Sequence, residues 1–446
     1  MSRYLAVLGR QPEISIAELE TLLDARIDSK IINGSCRTFS LPRHPLGAKA
    51  SVSSVETLPC PSPADYLGIE RLGGCLKLAV ELGQAPLEYL SVLPEGKITI
   101  GVSDYSRGAS RKSASQEALK LKKILVRHGR SVRVVENKDA VLSTATSLHN
   151  GLGGKNERKV ELIKLDDEWY RVIGVQDIDA YAKRDQARPA RDAKVGMLPP
   201  KLAQILINLC GPLESGAVVL DPFCGTGVVL QEALLMGYRA YGTDLSERMV
   251  EYSKRNLDWL VKDRNSHFEG VRSLARRGVA REPRGRLSKE LSEERTSSFF
   301  RDDDRQATLV DGSERRAPRN ELFYLSQGDA TSYRWEQPID AIVCEGYLGR
   351  PFSQIPSDMA LKEQKQECGA IVMGFLKNLA GQIKSGTPVV IAAPAWLRPG
   401  GEYERLKIVD EIEDMGYNVD NKTREGLLYH REAQAVARDI LILRKK

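Results

Sequence analysis

The chain has 446 residues, of which 41% are hydrophobic and 28% are charged, and its net charge is +6. This length predicts two or three domains, and the balanced composition excludes collagen, coiled coils and wholly disordered chains. No run of about 18 apolar residues occurs, so no membrane-spanning helix is predicted.

The start of the chain and its cysteines predict a cytoplasmic protein. The sequence MSRYLAVLGRQPEIS lacks the long apolar core of a signal peptide. The seven cysteines are dispersed and form no CxxC pair, which is typical of reduced thiols in the cytosol. The five histidines lack metal-ligand spacing, so no metal site is predicted.

Strand and helix signals alternate over residues 1–100. A helix is predicted to begin at Pro12, because proline suits the first helical position and apolar residues such as Ile14 and Leu19 follow it. Strands are predicted at Tyr4–Leu8, Cys75–Leu82 and Ile98–Val102. These elements indicate a small α+β domain.

Residues 101–180 are predicted to form a second unit. Its main helix is expected to have Ser113 or Ser115 as N-cap and to end at Gly129. The other predicted elements are a strand at Ser131–Glu136, a helix at Leu142–Asn150 and a hairpin of Val160–Leu165 with Trp169–Val175.

Positive charge is concentrated between Arg107 and Lys138. The stretch holds about ten lysines and arginines against two acids, Glu117 and Glu136. Such a density attracts a polyanion with salt-sensitive affinity, and the alternative is an ordinary solvated helix face. The candidate binding residues are Arg107, Arg111, Lys112, Lys120, Lys122, Lys123 and Arg127.

Residues 181–200 are predicted to be a linker rich in arginine. Arg184, Arg188 and Arg191 are spaced at four and three residues, which allows them to line a path between domains and to contact phosphates. The alternative is a solvated linker in which they pair locally with Asp185 and Asp192.

Helices and strands alternate again over residues 201–446, which predicts a parallel, doubly wound α/β sheet. The predicted strands are Ala217–Leu220, Arg239–Thr243, Leu322–Leu325, Ala341–Cys344, Val389–Ala393 and Asp439–Leu443. The predicted helices are Val228–Met236, Glu247–Val261, Met359–Ile383 and Tyr403–Met415. Residues 264–320 mix charges of both signs without an apolar period, and we expect a disordered insertion there.

The motif VVLDPFCGTGVVLQEAL, residues 218–234, carries the strongest chemical signal. A buried strand is predicted to end at Asp221, and a turn with Gly225 and Gly227 follows before a helix. Glycine lets a backbone approach a ligand closely, and ligands bind beyond the carboxyl ends of such strands. Asp244 ends the next strand, where an acid accepts hydrogen bonds from ribose hydroxyls. The loop lacks a phosphate-binding pattern, so a nucleoside without phosphates fits best.

Asp221-Pro222-Phe223-Cys224-Gly225-Thr226-Gly227 resembles the first motif of S-adenosylmethionine-dependent methyltransferases that modify amino groups on bases. The resemblance implies that Asp221, Pro222, Gly225 and Gly227 line the methionine end of S-adenosylmethionine. It also implies that Asp244 holds the ribose and that Asp329, in Gly328-Asp329-Ala330, meets the adenine amine.

Four further segments resemble tRNA guanine-N2 methyltransferases: the start of the chain, the unit from about Gly101 to Val175, the connector RPARDAKVGMLPPKLAQILINL and the C-terminal YHREAQAVARDILIL. The resemblance implies an RNA-binding half, ferredoxin-like over residues 1–100 and THUMP-like over residues 101–180. A Rossmann-like catalytic domain over residues 201–446 would follow it. The implied partner is tRNA, methylated at guanosine 10, so the basic stretch and the connector, with Arg188 and Arg191, are candidate RNA contacts. Whether a small protein activator takes part is left open.

One motif departs from that family. The family carries an acid or Asn, two prolines and an aromatic residue where this chain has Glu345-Gly346-Tyr347-Leu348. An exocyclic amine is a poor nucleophile, so an oxygen must accept its protons and an aromatic ring must stack on the base. Glu345, Gly346 and Tyr347 are the candidate catalytic residues. The alternatives are a cofactor- and RNA-binding protein with weak or absent catalysis, and a Cys344 nucleophile for methylating pyrimidine carbon.

Overall fold

Two β-sheets and the helices packed on them contain most of the buried apolar side chains. The computed structural model describes residues 2–23, 36–41, 68–192, 197–262, 322–335, 338–352, 354–420, 427–431 and 434–446. The insertion predicted at residues 264–320 lies outside the described residues. Among the described helices, none combines the length and the apolar character that a membrane span requires.

The first sheet collects the described strands of the N-terminal half in the order β2-β1-β3-β7-β6-β4-β5. Its strands are Ser2–Leu8 (β1), Cys36–Leu41 (β2), Cys75–Glu81 (β3), Ile98–Asp104 (β4), Val132–Val134 (β5), Lys159–Leu165 (β6) and Glu168–Val175 (β7). The helices of this half are Pro12–Leu23 (α1), Pro86–Ser91 (α2), Arg111–Arg127 (α3), Thr144–His149 (α4) and Ile178–Gln186 (α5).

This sheet continues across residue 100, where the first predicted domain boundary falls. Strand β4 straddles that position and is buried along its whole length. The antiparallel pairing of β3 with β7 joins strands on either side of the boundary. Residues 1–100 and 101–180 therefore share one sheet, and the division into ferredoxin-like and THUMP-like units stays a prediction.

The N-cap of α3 differs from the prediction. Ser110 is the cap, and its hydroxyl accepts a hydrogen bond from the Ser113 amide at 3.1 Å. The Ser113 hydroxyl in turn accepts from the Ser110 amide at 3.0 Å. Ser113 therefore occupies the third helical position of a capping box, and α3 begins at Arg111. The helix ends at Arg127, just before Gly129, whose φ of 79° suits the predicted stop.

The second sheet has the order β10-β9-β8-β11-β12-β16-β14. Its strands are Val218–Asp221 (β8), Arg239–Asp244 (β9), Phe323–Gln327 (β10), Ala341–Glu345 (β11), Pro388–Leu397 (β12), Tyr403–Arg405 (β13), Tyr417–Val419 (β14), Leu428–Tyr429 (β15) and Val436–Lys445 (β16). Its helices are Pro200–Asn208 (α6), Val228–Leu235 (α7), Glu247–Lys262 (α8), Asp358–Ala380 (α9) and Val409–Asp414 (α10).

The doubly wound α/β prediction is confirmed for the five strands from β10 to β12, which run parallel. The remaining pairings of the sheet are antiparallel, because β16 runs opposite to both of its neighbours in the strand order, β12 and β14. Strand β8 is buried on both faces, as expected when helices cover a parallel sheet.

The helix predicted at Tyr403–Met415 is wrong in its first part. Residues Tyr403–Arg405 form β13, which pairs antiparallel with the end of β12, and only Val409–Asp414 is helical. A turn precedes the strand, with Gly401 at a φ of 86°. The apolar spacing after Arg405 is helical, but the glycine turn returns the chain as a hairpin first.

Buried polar groups join the two halves. The carboxylate of Glu18 in α1 accepts hydrogen bonds from the amides of Gly73 and Gly74 at 2.9 and 2.8 Å, and from the Asn208 side chain in α6 at 2.7 Å. A Cβ on Gly73 would lie 2.3 Å from the Lys201 carbonyl oxygen, so only glycine fits against α6 there. The halves therefore meet through a close contact in which donors surround a buried acid.

Burial raises the pKa of Glu18 to about 7, although these hydrogen bonds lower it. The folded state therefore binds a proton here more tightly than the unfolded state, whose glutamate titrates near 4.5. The contribution of this proton to stability is fully present below pH 4.5 and is lost as the pH rises through about 7.

We expect the free energy of unfolding to fall by up to about 3 kcal/mol as the pH rises over that range. Denaturant unfolding at several pH values should show this slope in the wild type and a flatter one in Glu18→Gln. An equal effect of Glu20→Gln, at an exposed site on the same helix, would contradict the assignment.

Candidate active site

Three acidic residues end neighbouring strands at the carboxyl edge of the second sheet. Asp221 ends β8, Asp244 ends β9 and Glu345 ends β11. The chain leaves β8 toward β9 and β10 on one side and returns to β11 and β12 on the other. The strand order therefore reverses between β8 and β11, and such a switch point opens a crevice for a ligand.

The turn after β8 has two glycines in left-handed conformations, with φ values of 50° at Gly225 and 81° at Gly227. A Cβ on Gly225 would have no neighbour closer than 3.9 Å, so this position faces open space. A Cβ on Gly227 would lie 2.9 Å from the Ser253 hydroxyl and 3.2 Å from its Cα. Gly225 thus leaves room for a ligand, whereas Gly227 lets α8 pack closely against the turn.

Helix α8 holds the turn through two side chains that sequence reasoning missed. The Ser253 hydroxyl donates to the Gly225 carbonyl at 2.8 Å. The Asn256 amide donates to the carbonyls of Thr226 and Ala190, each at 2.8 Å, and its oxygen accepts from the Ala190 amide at 2.9 Å. The only signal in the sequence is that both are polar residues on the inner face of an amphipathic helix. Their partners become known only from the fold.

Asp221 is buried, and its carboxylate accepts a hydrogen bond from the Phe223 amide at 3.1 Å. Burial raises the pKa of Asp221 well above its usual range, and the negative charges of Asp244 and Glu345 add to that effect. Pro222 is also buried, and its carbonyl accepts from the Thr243 hydroxyl at 3.4 Å.

Asp244 is half-buried, and its two oxygens accept from the amides of Gly225 and Ser246, each at 2.9 Å. Burial raises the pKa of Asp244, and the two amide hydrogen bonds oppose the rise. Asp329 lies nearby, because the Gly328 amide donates to the Asp244 carbonyl at 2.9 Å. Asp329 is exposed, and hydrogen bonds from Thr331 lower its pKa. These two acids suit hydroxyl and amine donors at the edge of the crevice.

Glu345 is paired with an arginine that sequence reasoning did not assign. The Arg438 guanidinium on β16 donates through Nε to the Glu345 carboxylate. The Glu345 side chain is 16% exposed and that of Arg438 is 4% exposed. Burial raises the pKa of Glu345, and the charge and hydrogen bond of Arg438 oppose the rise. The candidate acceptor therefore has a buried counter-ion.

The loop after Glu345 packs against β12 and α9. The Gly346 amide donates to the Ala392 carbonyl at 3.0 Å. Tyr347 is half-buried and its hydroxyl is hydrogen-bonded to Glu367, while burial is the main factor that raises the pKa of Tyr347. The Arg350 amide donates to the Gln364 side chain at 2.6 Å. Contacts with α9 therefore restrain a loop that has no prolines at residues 346 and 347.

Cys344 has none of its surface exposed and belongs to the apolar core under β11. Burial raises the pKa of the Cys344 thiol well above its usual range. A neutral, enclosed thiol is a poor nucleophile. The carbon-methylation alternative therefore has no support from this geometry. Within the described residues, no group of three or more potential metal ligands comes together.

The predicted polyanion-binding residues fall into two structural groups. The first group lies on and before α3. Its exposed members are Arg107, Arg111, Lys112, Lys120, Lys123 and Arg127, and Lys122 is half-buried.

The second group lies in the connector, which differs from a solvated linker. Arg184 lies on α5 and forms a buried ion pair with Glu232 at 2.7 Å, and Arg188 is also buried. An enclosed guanidinium does not suit a phosphate contact, so the prediction for Arg188 is not supported. Arg191 remains exposed.

Comparisons with known proteins agree with this location of the site. Residues 188–361 match the family UPF0020, described as an RMKL-like methyltransferase domain. That segment includes the glycine turn and all the acidic residues of the site.

The sequence is similar to proteins named tRNA (guanine(10)-N2)-dimethyltransferase. The one from Methanothermobacter thermautotrophicus is 45% identical over 95 residues, which are 21% of this chain and 27% of the relative. The one from Pyrococcus abyssi is 28% identical over 265 residues, 58% of this chain and 69% of the relative. The crystal structure of TrmN from Thermus thermophilus covers both whole chains at 16% identity, with a TM-score of 0.42. Residues 188–361 are therefore similar to the UPF0020 methyltransferase domain, and the chain is similar in sequence to proteins named as tRNA guanine-N2 methyltransferases.

Proposed function

We propose that this protein is an S-adenosylmethionine-dependent methyltransferase that acts on the exocyclic N2 amine of a guanosine in tRNA. The observation that carries the proposal is the meeting of Asp221, Asp244 and Glu345 beside the open glycine turn. The names of the sequence relatives support tRNA as the substrate and position 10 as the target. We infer that the protein works in the cytoplasm. Activity assays with and without added cell protein would test whether a small activating subunit takes part.

The residues of the crevice fit S-adenosylmethionine. Gly225 leaves open space at the end of β8, where the backbone can approach the methionine part closely. Asp244 presents carboxylate oxygens that can accept from ribose hydroxyls, and Asp329 is exposed beside it to accept from the adenine amine. When bound, S-adenosylmethionine supplies an electrophilic methyl group on a sulfonium.

Glu345 would act on the guanine amine. The lone pair of this amine is delocalised into the ring, so the nitrogen becomes nucleophilic only when acceptors take hydrogen bonds from its protons. A carboxylate has about four acceptor positions, so pairing with Arg438 leaves capacity for the amine. Glu345 can also take the proton that the nitrogen releases as it gains the methyl. Tyr347 lies two residues further on and offers a ring for stacking.

The N-terminal half would bind the tRNA. Five cations of α3 are exposed, and we call this set the α3 surface: Arg111, Lys112, Lys120, Lys123 and Arg127. Structured RNA is recognised largely by shape and by phosphate contacts, which a basic helix face can supply. A THUMP-like role for residues 101–180 is part of this proposal.

A protein that binds cofactor and RNA without turnover is the second candidate. It is favoured by one observation, the engagement of Glu345 by a buried arginine, which in other settings simply stabilises a buried acid. Both candidates require the same two ligands, so only product formation separates them.

Turnover tests the proposal directly. Purified protein incubated with unmodified tRNA and labelled S-adenosylmethionine should yield N2-methylguanosine on nucleoside analysis. Glu345→Gln should keep partial activity because a neutral oxygen can still accept, whereas Glu345→Ala should abolish activity and retain cofactor binding. Tyr347→Ala should cost about 1–3 kcal/mol of stacking, and Tyr347→Phe far less. A wild type that binds both ligands but forms no product, like Glu345→Ala, would establish the non-catalytic candidate.

Cofactor binding should depend on Asp244. Asp244→Ala should weaken S-adenosylmethionine binding by about 1.5–3 kcal/mol, because hydrogen bonds to a charged acceptor are lost. Calorimetric titration measures the change. Asp258→Ala, which removes an acid near the far end of α8, is the control and should leave affinity unchanged. Equal affinities for wild type and Asp244→Ala would exclude Asp244 from the cofactor site.

RNA binding should depend on the α3 surface. Reversal of charge at Lys120, Lys123 and Arg127 should weaken tRNA binding and flatten its salt dependence, because fewer counterions are released. Binding titrations at several salt concentrations give the slope, and cofactor affinity should not change. The control is Lys384→Glu, at an exposed lysine in the turn between α9 and β12 of the second sheet. An unaltered slope in the triple variant would mean that the α3 surface is ordinary solvated surface.

A further inference from the structure

The Glu345–Arg438 ion pair reaches across a strand at the carboxyl edge of the second sheet. Glu345 ends β11 and is aligned with Ala392 of β12. Arg438 lies on β16, the other neighbour of β12, and is aligned with Pro394. The two side chains therefore meet over β12, beside the strand ends that carry the candidate site.

Arg438 is held in place on its other side. Strand β15 pairs with β16 so that Tyr429 lies opposite Arg438, and the guanidinium carbon is 5.9 Å from the centre of the Tyr429 ring. The next residue, Asp439, faces the other side of the strand and pairs with Arg405 at 3.4 Å. Asp439 and its partner thus form a separate ion pair, while Arg438 is enclosed between an aromatic ring and Glu345.

A buried ion pair contributes little net stability, because desolvation of both charges offsets their attraction. The geometry of the ion pair, which orients the Glu345 carboxylate, is therefore more important than its contribution to stability. A planar guanidinium imposes a direction on the carboxylate that it contacts, and its long side chain is immobilised here by Tyr429 and by burial. Catalytic groups need positions fixed to within about 0.5 Å, and a loop that begins Gly346-Tyr347 provides little stiffness of its own.

We propose that Arg438 is a positioning residue that holds the Glu345 carboxylate at the end of β11, with acceptor capacity turned toward the substrate amine. The inference rests on the proposed methyl transfer to a guanine amine and adds a residue from the last strand of the sheet to that site. Arg438 itself is enclosed, so it acts through Glu345 and does not contact the base.

The charges that face Glu345 give the proposal a pH dependence. Asp221 on β8 is a second carboxylate within electrostatic range, the neighbouring Cys344 thiol is neutral, and Arg438 is the cation. Without Arg438, Glu345 would lose the cation and the hydrogen bond that oppose the effect of burial on its pKa. The pKa of Glu345 would then rise further, and the ionised acceptor would form only at higher pH.

The first experiment compares Arg438→Met and Arg438→Lys with Arg444→Met. Arg444 lies on the same strand, at its other end, and pairs with Asp420 at 3.1 Å, so it controls for loss of an arginine from β16. Steady-state methylation of tRNA is measured from about pH 6 to about pH 9, a range above the ordinary glutamate pKa in which a raised Glu345 would titrate. In Arg438→Met, kcat on the acid limb of the pH profile should fall by about tenfold for each unit by which the pKa of Glu345 rises. KM for tRNA should not change, and the acid limb should move to higher pH.

Arg438→Lys should restore the acid limb toward wild type, because it returns a charge, but it should recover kcat only partly, because an ammonium lacks the planar fork. Arg444→Met should match the wild type in the acid limb of the pH profile and in kcat. Two outcomes would overturn the proposal and make Arg438 a structural residue. In the first, Arg438→Met keeps the wild-type pH profile. In the second, Arg438→Lys restores none of that profile and both variants lose thermal stability equally.

A second measurement does not depend on activity. Carboxyl ¹³C signals of glutamate-labelled protein are titrated, and the signal missing in Glu345→Gln identifies Glu345. Its pKa should be higher in Arg438→Met than in wild type. If this shift occurs but wild type yields no methylguanosine, Arg438 orders Glu345 and the methylation proposal alone fails. An unchanged titration would overturn the role of Arg438 whatever the activity.

Discussion

The burial of acidic side chains at one sheet edge is the constraint on which the rest of the site depends. Burial disfavours a carboxylate, so each acid requires donors or a cation close by. Asp221 receives a backbone amide, Asp244 receives two, and Glu345 receives a guanidinium. The amide donors belong to the turns that follow the strands. The position of each acid therefore depends on the conformation of the turns, and the turns are in turn stabilised by the acids.

This mutual dependence explains the shape of the glycine turn. One oxygen of Asp244 accepts from the Gly225 amide, so the acid that would hold a ribose also closes the turn that would hold the methionine part. Ser253 and Asn256 fasten the same turn from the outside, and Asn256 extends the contact to the connector at Ala190. A single helix thereby links the cofactor loop to the segment that leads to the N-terminal half.

The contact between the halves has the same physical character. Glu18 is enclosed by amides and by Asn208, and α6 lies against Gly73 with no space for a side chain. Polar groups buried in this way are satisfied only in one relative arrangement of the partners. If the α3 surface binds RNA, this arrangement sets the distance and direction from the bound RNA to the crevice that holds Glu345.

The sequence alone predicted the elements whose signals are local. Proline at the start of α1, the alternation in β3, the apolar run of β8 and the spacing from Asp221 to Asp244 are each contained in a short stretch. The fold class and the glycine turn follow from such signals, and the structure confirms them. Local signals also explain the errors, since a capping box and a glycine turn shifted the bounds predicted near Ser113 and Tyr403.

Only the tertiary structure decided which residues meet. Glu345 and Arg438 are 93 positions apart and face each other because β12 lies between their strands. Arg184 and Glu232 are 48 positions apart, and their pairing placed an expected linker residue in the interior. The sequence does not show whether a charged residue is solvated or buried. Its surroundings, and so its pKa and its role, are set by strand order and helix packing.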